Sequence, residues 1–491
     1  MTASTTFRPP FLTAFVLALG AARALPAQNA NGAKGPLASR IDAIIAKEPF
    51  RRAQWGIAVL DVRTGDLLYA RNADEPMIPA STLKLVIAAA AASTLDPTFR
   101  YTTTLLATGP VQGGELRGDL IIRGTGDPTI SGRYHEDRMT AVLEALADSL
   151  SARGVRKISG RIVVDQSHWD QEYVHEDWEA YDALWWYAAP VAPLGFNDNS
   201  IDFRVEPGRA GQPARITWQP QTRYFVFRNT TRTVAAGTPK TLDFKRGEGT
   251  DTIVAYGEIP VNAEPRTEYF AVTDPGRYTA TVFGEVLEAR GIEVANDDVE
   301  ITRTADSGAT TLTLYRSPPL DSIIAPILQR SQNWFAEQLL KTVAREKAGE
   351  GTWDAGLAIE RKFLIDVIGF SESDFVLRDA SGLSTQNRIT PAGLAKLVRY
   401  IHNTPALAMV RDALPVSGAE TGSLRTRLAD LRGRVHAKTG SVRDVASLAG
   451  FVSNANGRDL AFVIIANDTG VSATKSSEAI DDIVRVIAAQ N

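Results

Sequence analysis

Pro79-Ala80-Ser81-Thr82-Leu83-Lys84-Leu85-Val86-Ile87, followed by five alanines from Ala88 to Ala92, decides how this chain is read. Alanine is the best helix former, and a run of it lets neighbouring elements pack closely. Pro79 precedes the expected start, where a missing N–H costs nothing. The stretch predicts a buried helix that starts at a nucleophile. Ser81 and Lys84 stand three residues apart, so both side chains lie on one helical face. A serine hydroxyl is a weak nucleophile until a base takes its proton, and the amine of Lys84 is within reach.

Ser-x-x-Lys is a short pattern and recurs at Ser472-Ala473-Thr474-Lys475. Corroboration must come from elsewhere. Ser331-Gln332-Asn333 opens a helical pattern, and Lys438-Thr439-Gly440 sits in a strand-like stretch. Ser-x-x-Lys, Ser-x-Asn and Lys-Thr-Gly in this order resemble the signature of penicillin-recognising serine enzymes. The copy at Ser472 has neither partner after it and reads as a helix cap.

The chain has 491 residues, too many for one ordinary domain. Hydrophobic residues make up 44% and charged residues 22%, the balance of a globular protein. Net charge is −4, so no basic field points to nucleic acid or an anionic membrane. Residues 1–27 read as a secretory signal: Arg8, an apolar run from Phe11 to Ala22, then Ala22-Arg23-Ala24 as a cleavage site. There is no cysteine, hence no disulfide framework, thiol nucleophile or lipidated cysteine. The expectation is an exported, periplasmic protein with no membrane anchor after cleavage.

More residues separate Lys84 from Ser331 than a compact domain needs between two parts of one site. An insertion over 96–274 is therefore expected, with a β-rich sublobe at about 200–262. The catalytic domain would be discontinuous, 28–95 and 275–491. Trp55–Asp61 and Leu67–Arg71 read as a hairpin across Arg63-Thr64-Gly65-Asp66. Ala446–Ser453 and Asp459–Asn467 read as another across Asn454-Ala455-Asn456-Gly457-Arg458, with Asn-Gly as a strong turn signal. Leu424–Leu431 reads as a short helical stretch, and Ile480, Ile483, Val484 and Ile487 mark a closing helix.

Further stretches narrow the resemblance. They are Gly124-Thr125-Gly126-Asp127-Pro128, Ala192-Pro193-Leu194-Gly195-Phe196-Asn197-Asp198-Asn199, Ser317-Pro318-Pro319-Leu320 and Asp379-Ala380-Ser381-Gly382-Leu383-Ser384. With the insertion, they look like the low-molecular-mass class C penicillin-binding proteins, the D-alanyl-D-alanine carboxypeptidase/endopeptidase family. The resemblance runs from about Leu37 to the C-terminus. Gln332 departs from the Asp or Asn of many relatives, at a position that does no chemistry.

The resemblance implies an α/β (α+β) fold, a five-stranded antiparallel sheet flanked by helices. It implies that Ser81 forms an acyl-enzyme, with Lys84 as base, its charge disfavoured by burial and by Lys438. It gives Ser331 a proton relay and Asn333 the holding of Lys84 and the substrate amide. Lys438 and Thr439 would bind the substrate carboxylate, and Gly440 would let the substrate backbone come close. The oxyanion would sit on the backbone N–H groups of Ser81 and Ser441. No cofactor or metal is implied. The expected partners are peptidoglycan peptides and β-lactams; oligomeric state is left open. Rival readings are a β-lactamase or esterase on the same fold, or a non-catalytic β-lactam-binding envelope protein.

Other signals carry less. The Gly124 stretch reads as a turn, not a dinucleotide loop, because Thr129 occupies the third glycine position. His168, Asp170, His175 and Glu176 lack metal-ligand spacing, and His436 reads as structural. Trp185-Trp186-Tyr187 reads equally as core packing or as the wall of a peptide or sugar subsite. Asp379 and Ser384 are cleft candidates without assigned chemistry.

Overall fold

The computed structural model describes residues 35–247, 250–304, 306 and 308–490. The expected signal segment, 1–27, lies outside them. Among the described residues no helix is long and apolar enough to cross a membrane.

The sheet that carries the site has five strands, all antiparallel. In spatial order they are Leu67–Arg71, Gln54–Asp61, Asp459–Asn467, Val445–Ser453 and Val435–Val442. Both expected hairpins are present. In the second, Ser453 pairs with Asp459, and Asn454 Oδ1 accepts the N–H groups of Asn456 and Arg458. Alternation along the strands serves two cores at once. Trp55, Ile57, Val59, Phe462 and Ile464 pack with helices Pro36–Ile45 and Ala473–Ala488. Ala58, Leu60, Ala461, Val463 and Ile465 face the opposite side.

On that side lies the helix Lys84–Thr94, in which every residue from Lys84 to Ala92 is buried. A helix apolar all round belongs in a core. Its alanines let the helices Leu320–Gln329, Asn333–Ala348 and Pro391–Asn403 close around it. Ser472 caps the last helix, its side chain accepting from the Lys475 N–H, as its lack of motif partners predicts. Leu424–Leu431 departs from expectation. It is turns, with only Ala429–Leu431 as a 3-10 turn and Leu428 at φ 51°.

The remaining chain builds a second body. Its sheet has the order Val299–Thr302, Ile162–Asp165, Leu120–Gly124, Thr102–Ala107 and Thr310–Arg316. Helices Ala141–Ala152 and Pro275–Ala289 pack with it in one core. A β-rich part adds Phe203 against Phe225, Phe227 and Phe244. Helix Pro275–Ala289 was expected in the catalytic domain, but its Tyr278, Phe283 and Leu287 join this second core. Strands after it complete the second sheet. We therefore propose that the inserted region runs from about 102 to about 316, not from 96 to 274. A helix's own periodicity does not reveal which body it covers.

Candidate active site

Ser81 lies in a 3-10 turn, Ala80–Leu83, and the α-helix proper begins at Lys84. The turn is held from outside. The Pro79 carbonyl accepts from Thr82 Oγ1 at 2.7 Å and from Ser447 Oγ at 2.6 Å. Ala80 takes φ 48°, an unfavourable region for a side-chain-bearing residue. Such strain persists where surrounding contacts over-determine it. One of them is Gly382, at φ 78°, where a Cβ would stand 2.0 Å from the Ala80 carbonyl.

Lys84 Nζ donates to Ser81 Oγ at 2.9 Å, to Asn333 Oδ1 at 2.6 Å and to the Ser381 carbonyl at 2.6 Å. Lys438 Nζ donates to Ser331 Oγ at 2.8 Å and to the Thr439 carbonyl at 2.6 Å. Thr439 Oγ1 donates to Ser423 Oγ at 2.9 Å. Ser331 has φ 59°, just before the helix that begins at Asn333. Asn333 Nδ2 donates to the Tyr187 carbonyl at 2.7 Å, tying the inserted region to the site. Five sequence-predicted residues, Ser81, Lys84, Ser331, Asn333 and Lys438, are thus joined in two hydrogen-bonded groups.

Gly440 and Ser441 lie on the Val435–Val442 strand, and Ser441 is exposed. Glycine at 440 is required within the chain itself. A Cβ there would meet Ser447 Oγ at 2.2 Å and come within 3.0 Å of the Ser81 N and the Pro79 carbonyl. The close approach is between the strand and the nucleophile turn.

Both lysines are fully buried. Burial lowers the Lys84 ammonium to about 7, against the carboxylates of Asp379 and Glu337, which favour its charge. Burial, and then the charge of Lys84, push Lys438 well below the usual lysine range. The repulsion between the two amines is mutual, and of the two only Lys84 has carboxylates among the charges acting on it, so Lys84 keeps its proton more readily.

Glu337 was missed in the sequence. It sits one helical turn after Asn333, and that i,i+4 spacing was the available signal. Its Oε1 accepts from the Ser381 N–H at 2.8 Å, and its Oε2 from Trp353 Nε1 at 2.9 Å. It thereby holds the loop whose carbonyl meets Lys84. Burial, then Asp379, raise its carboxyl above the usual range. Asp379 accepts from the N–H groups of Gly382 and Ser384, each at 2.7 Å, so the loop is built around it. Trp185, Trp186 and Tyr187 divide their work. Trp185 packs on Phe244 and Phe270, Trp186 borders a cavity, and Tyr187 supplies the carbonyl to Asn333.

An amine bonded to the hydroxyl of the half-buried Ser81, with a second buried amine on another serine, is equipped for acyl transfer through serine. Comparison with known proteins agrees. The chain is 34% identical over 464 residues to a D-alanyl-D-alanine carboxypeptidase of an Actinomadura species, covering 91% of this chain and 84% of that one. It is 28% identical over 438 residues to D-alanyl-D-alanine carboxypeptidase DacB of Haemophilus influenzae, covering 86% and 88%. The crystal structure of penicillin binding protein 4 from Haemophilus influenzae has the same fold. It superposes with a TM-score of 0.80 at 24% identity, over 91% of this chain and 98% of that one. The model of the D-Ala-D-Ala carboxypeptidase 3 (S13) family matches residues 37–490. By its sequence and its fold, the chain belongs to the D-Ala-D-Ala carboxypeptidase 3 (S13) family, among the low-molecular-mass class C penicillin-binding proteins.

Proposed function

We propose that this protein is a serine D-alanyl-D-alanine carboxypeptidase of peptidoglycan stem peptides, with endopeptidase action on cross-links, and that β-lactams acylate it. The observation that carries this reading is the 2.9 Å bond from the buried Lys84 amine to Ser81 Oγ. An amine with a pKa near 7 is neutral in a large fraction of molecules at neutral pH and can take the hydroxyl proton.

Ser81 Oγ attacks the carbonyl between the two D-alanines as its proton passes to Lys84. The negative oxygen is held by the N–H groups of Ser81 and Ser441. The C–N bond breaks, and the leaving amine receives a proton relayed through Ser331. Water then hydrolyses the ester and returns the serine. Lys438 and Thr439 receive the terminal carboxylate. An arriving anion favours the charged form of Lys438, which burial alone disfavours. The work is done outside the cytoplasmic membrane, in the periplasm, where stem peptides are met.

Intact mass after mixing with benzylpenicillin tests the reading. We expect one adduct, mapped to Ser81 and slow to leave. Ser81→Ala should abolish both the adduct and D-alanine release from D-Ala-D-Ala peptides. Labelling that survives the substitution removes Ser81 from its role. A fleeting adduct with rapid penicillin hydrolysis makes the protein a β-lactamase.

A further inference from the structure

The three residues after Ser331 each grip the inserted region at a different point. Gln332 Nε2 donates to Asp198 Oδ2 at 3.0 Å, Asn333 Nδ2 to the Tyr187 carbonyl at 2.7 Å, and Trp334 Nε1 to the Pro190 carbonyl at 3.0 Å. Ser331 itself stands at φ 59°, a region unfavourable to a residue with a side chain. Its Oγ accepts from Lys438 Nζ at 2.8 Å. Such a backbone persists only where its surroundings impose it.

Gln332 is 5% exposed, and its Oε1 has no hydrogen-bond partner among the described residues. The bond to Asp198 is therefore the one that fixes its side chain. Asp198 is delivered by an unusual turn. Asn197, Asp198 and Asn199 stand at φ 50°, 52° and 51°. Asn and Asp enter this region more readily than other residues with side chains. The two asparagines lock the turn. Asn199 Oδ1 accepts from the Phe196 N–H at 3.1 Å, and its Nδ2 donates to the Pro190 carbonyl at 2.8 Å. Asn197 Nδ2 donates to the Ser200 carbonyl at 3.1 Å. Asp198, between them, reaches Gln332. Its carboxylate also pairs with Arg133, whose guanidinium lies 5.6 Å from the Phe335 ring centre.

We propose that Asp198 and Gln332 are positioning residues for Ser331. The bond between them ties the neighbour of Ser331 to the inserted region and so keeps the Ser331 hydroxyl on Lys438. The pairing is directional: an ionised Asp198 only accepts, and the amide of Gln332 donates. A carboxylate of the same length at 332 would face a second carboxylate across 3.0 Å, an arrangement of like charges that repels. The proposal rests on the relay of a proton through Ser331 in the proposed function. It adds that the inserted region, and not the catalytic body alone, sets where that relay stands.

The test is a double-substitution cycle in the full chain. It is read as kcat/KM on a peptide ending in D-Ala-D-Ala and on its counterpart ending in D-Ala-D-lactate. Both keep the terminal carboxylate, but the amine leaving group depends far more on a relayed proton than the alcohol does. Gln332→Glu should lower kcat/KM about tenfold on the amide and less than about threefold on the ester. Adding Asp198→Asn gives the new carboxylate a donor again and should recover most of the loss, a coupling that independent sites lack. The rate of benzylpenicillin acylation should show the same loss and recovery, and a complete final adduct reports an intact fold. Equal losses on amide and ester, no loss in Gln332→Glu, or no recovery with Asp198→Asn overturns the proposal. Ser331→Ala should lose more on the amide than on the ester; equal losses there overturn the relay and the proposal with it. A parent chain that releases no D-alanine, with the penicillin cycle holding, overturns the carboxypeptidase reading and leaves the positioning pair standing.

Discussion

Lys84 and Lys438 are the same residue type, equally buried, and each donates to one serine hydroxyl and one backbone carbonyl. They differ in what stands around them. Behind Lys84, on the nucleophile helix, are Glu337 and Asp379, which partly offset its burial. Lys438, on the strand at the sheet edge, has no carboxylate among the influences on it and feels the charge of Lys84. One amine is held near the point where it can give and take a proton. The other is left wanting an anion, the state suited to a group that receives a carboxylate. The contrast shows that burial alone does not assign a role to a lysine; the charges facing it do.

The strongest way to break this comparison is to remove the proposed base. Lys84→Met keeps the length of the side chain without the amine, and should slow acylation by benzylpenicillin about 10³-fold, read by stopped-flow or timed intact mass. Acylation that stays within a few-fold of the parent would transfer the base role elsewhere. Lys438→Met should cost about 10²-fold in kcat/KM on peptides ending in a free carboxylate, and much less on the same peptides ending in an amide. Equal losses on both would mean that Lys438 serves the proton path rather than the carboxylate.

A smaller effect sharpens the contrast. In the proposed role of base Lys84 works only when neutral, and burial brings its amine to about 7. The neutral fraction grows as pH rises, so acylation should climb about tenfold between pH 6 and pH 8 and level off above. A flat profile over that range would show that the amine titrates elsewhere. The least effect expected is that of Glu337→Gln, a positioning change. A carboxylate at this place favours the charged lysine, so its loss should move the rising limb to lower pH, with acylation changed by about three- to fivefold. An unmoved limb would confine Glu337 to holding the Ser381 loop.

The legible parts of the molecule are those in which a few consecutive residues state their own case. The alanine-rich helix, the Asn-Gly hairpin and the cap at Ser472 are local, and the structure has them where the sequence predicts. Where a stretch depended on its neighbours, the reading went wrong. Leu424–Leu431 has helical spacing but runs as turns. Pro275–Ala289 is the helix expected, packed on the body not expected.

The sequence by itself determined which residues are candidates for the chemistry: three short motifs in order, each a set of residue types within a few positions of one another. It also determined the main sheet, because alternation and turn residues are written along single strands. Only the tertiary structure decided what faces each amine. Glu337, Asp379 and the Ser381 carbonyl reach Lys84 through contacts between distant segments, and Gly440 is glycine because a strand crosses the nucleophile turn. Charge, burial and close approach depend on proximity in space, and no local pattern encodes which far segment will supply it.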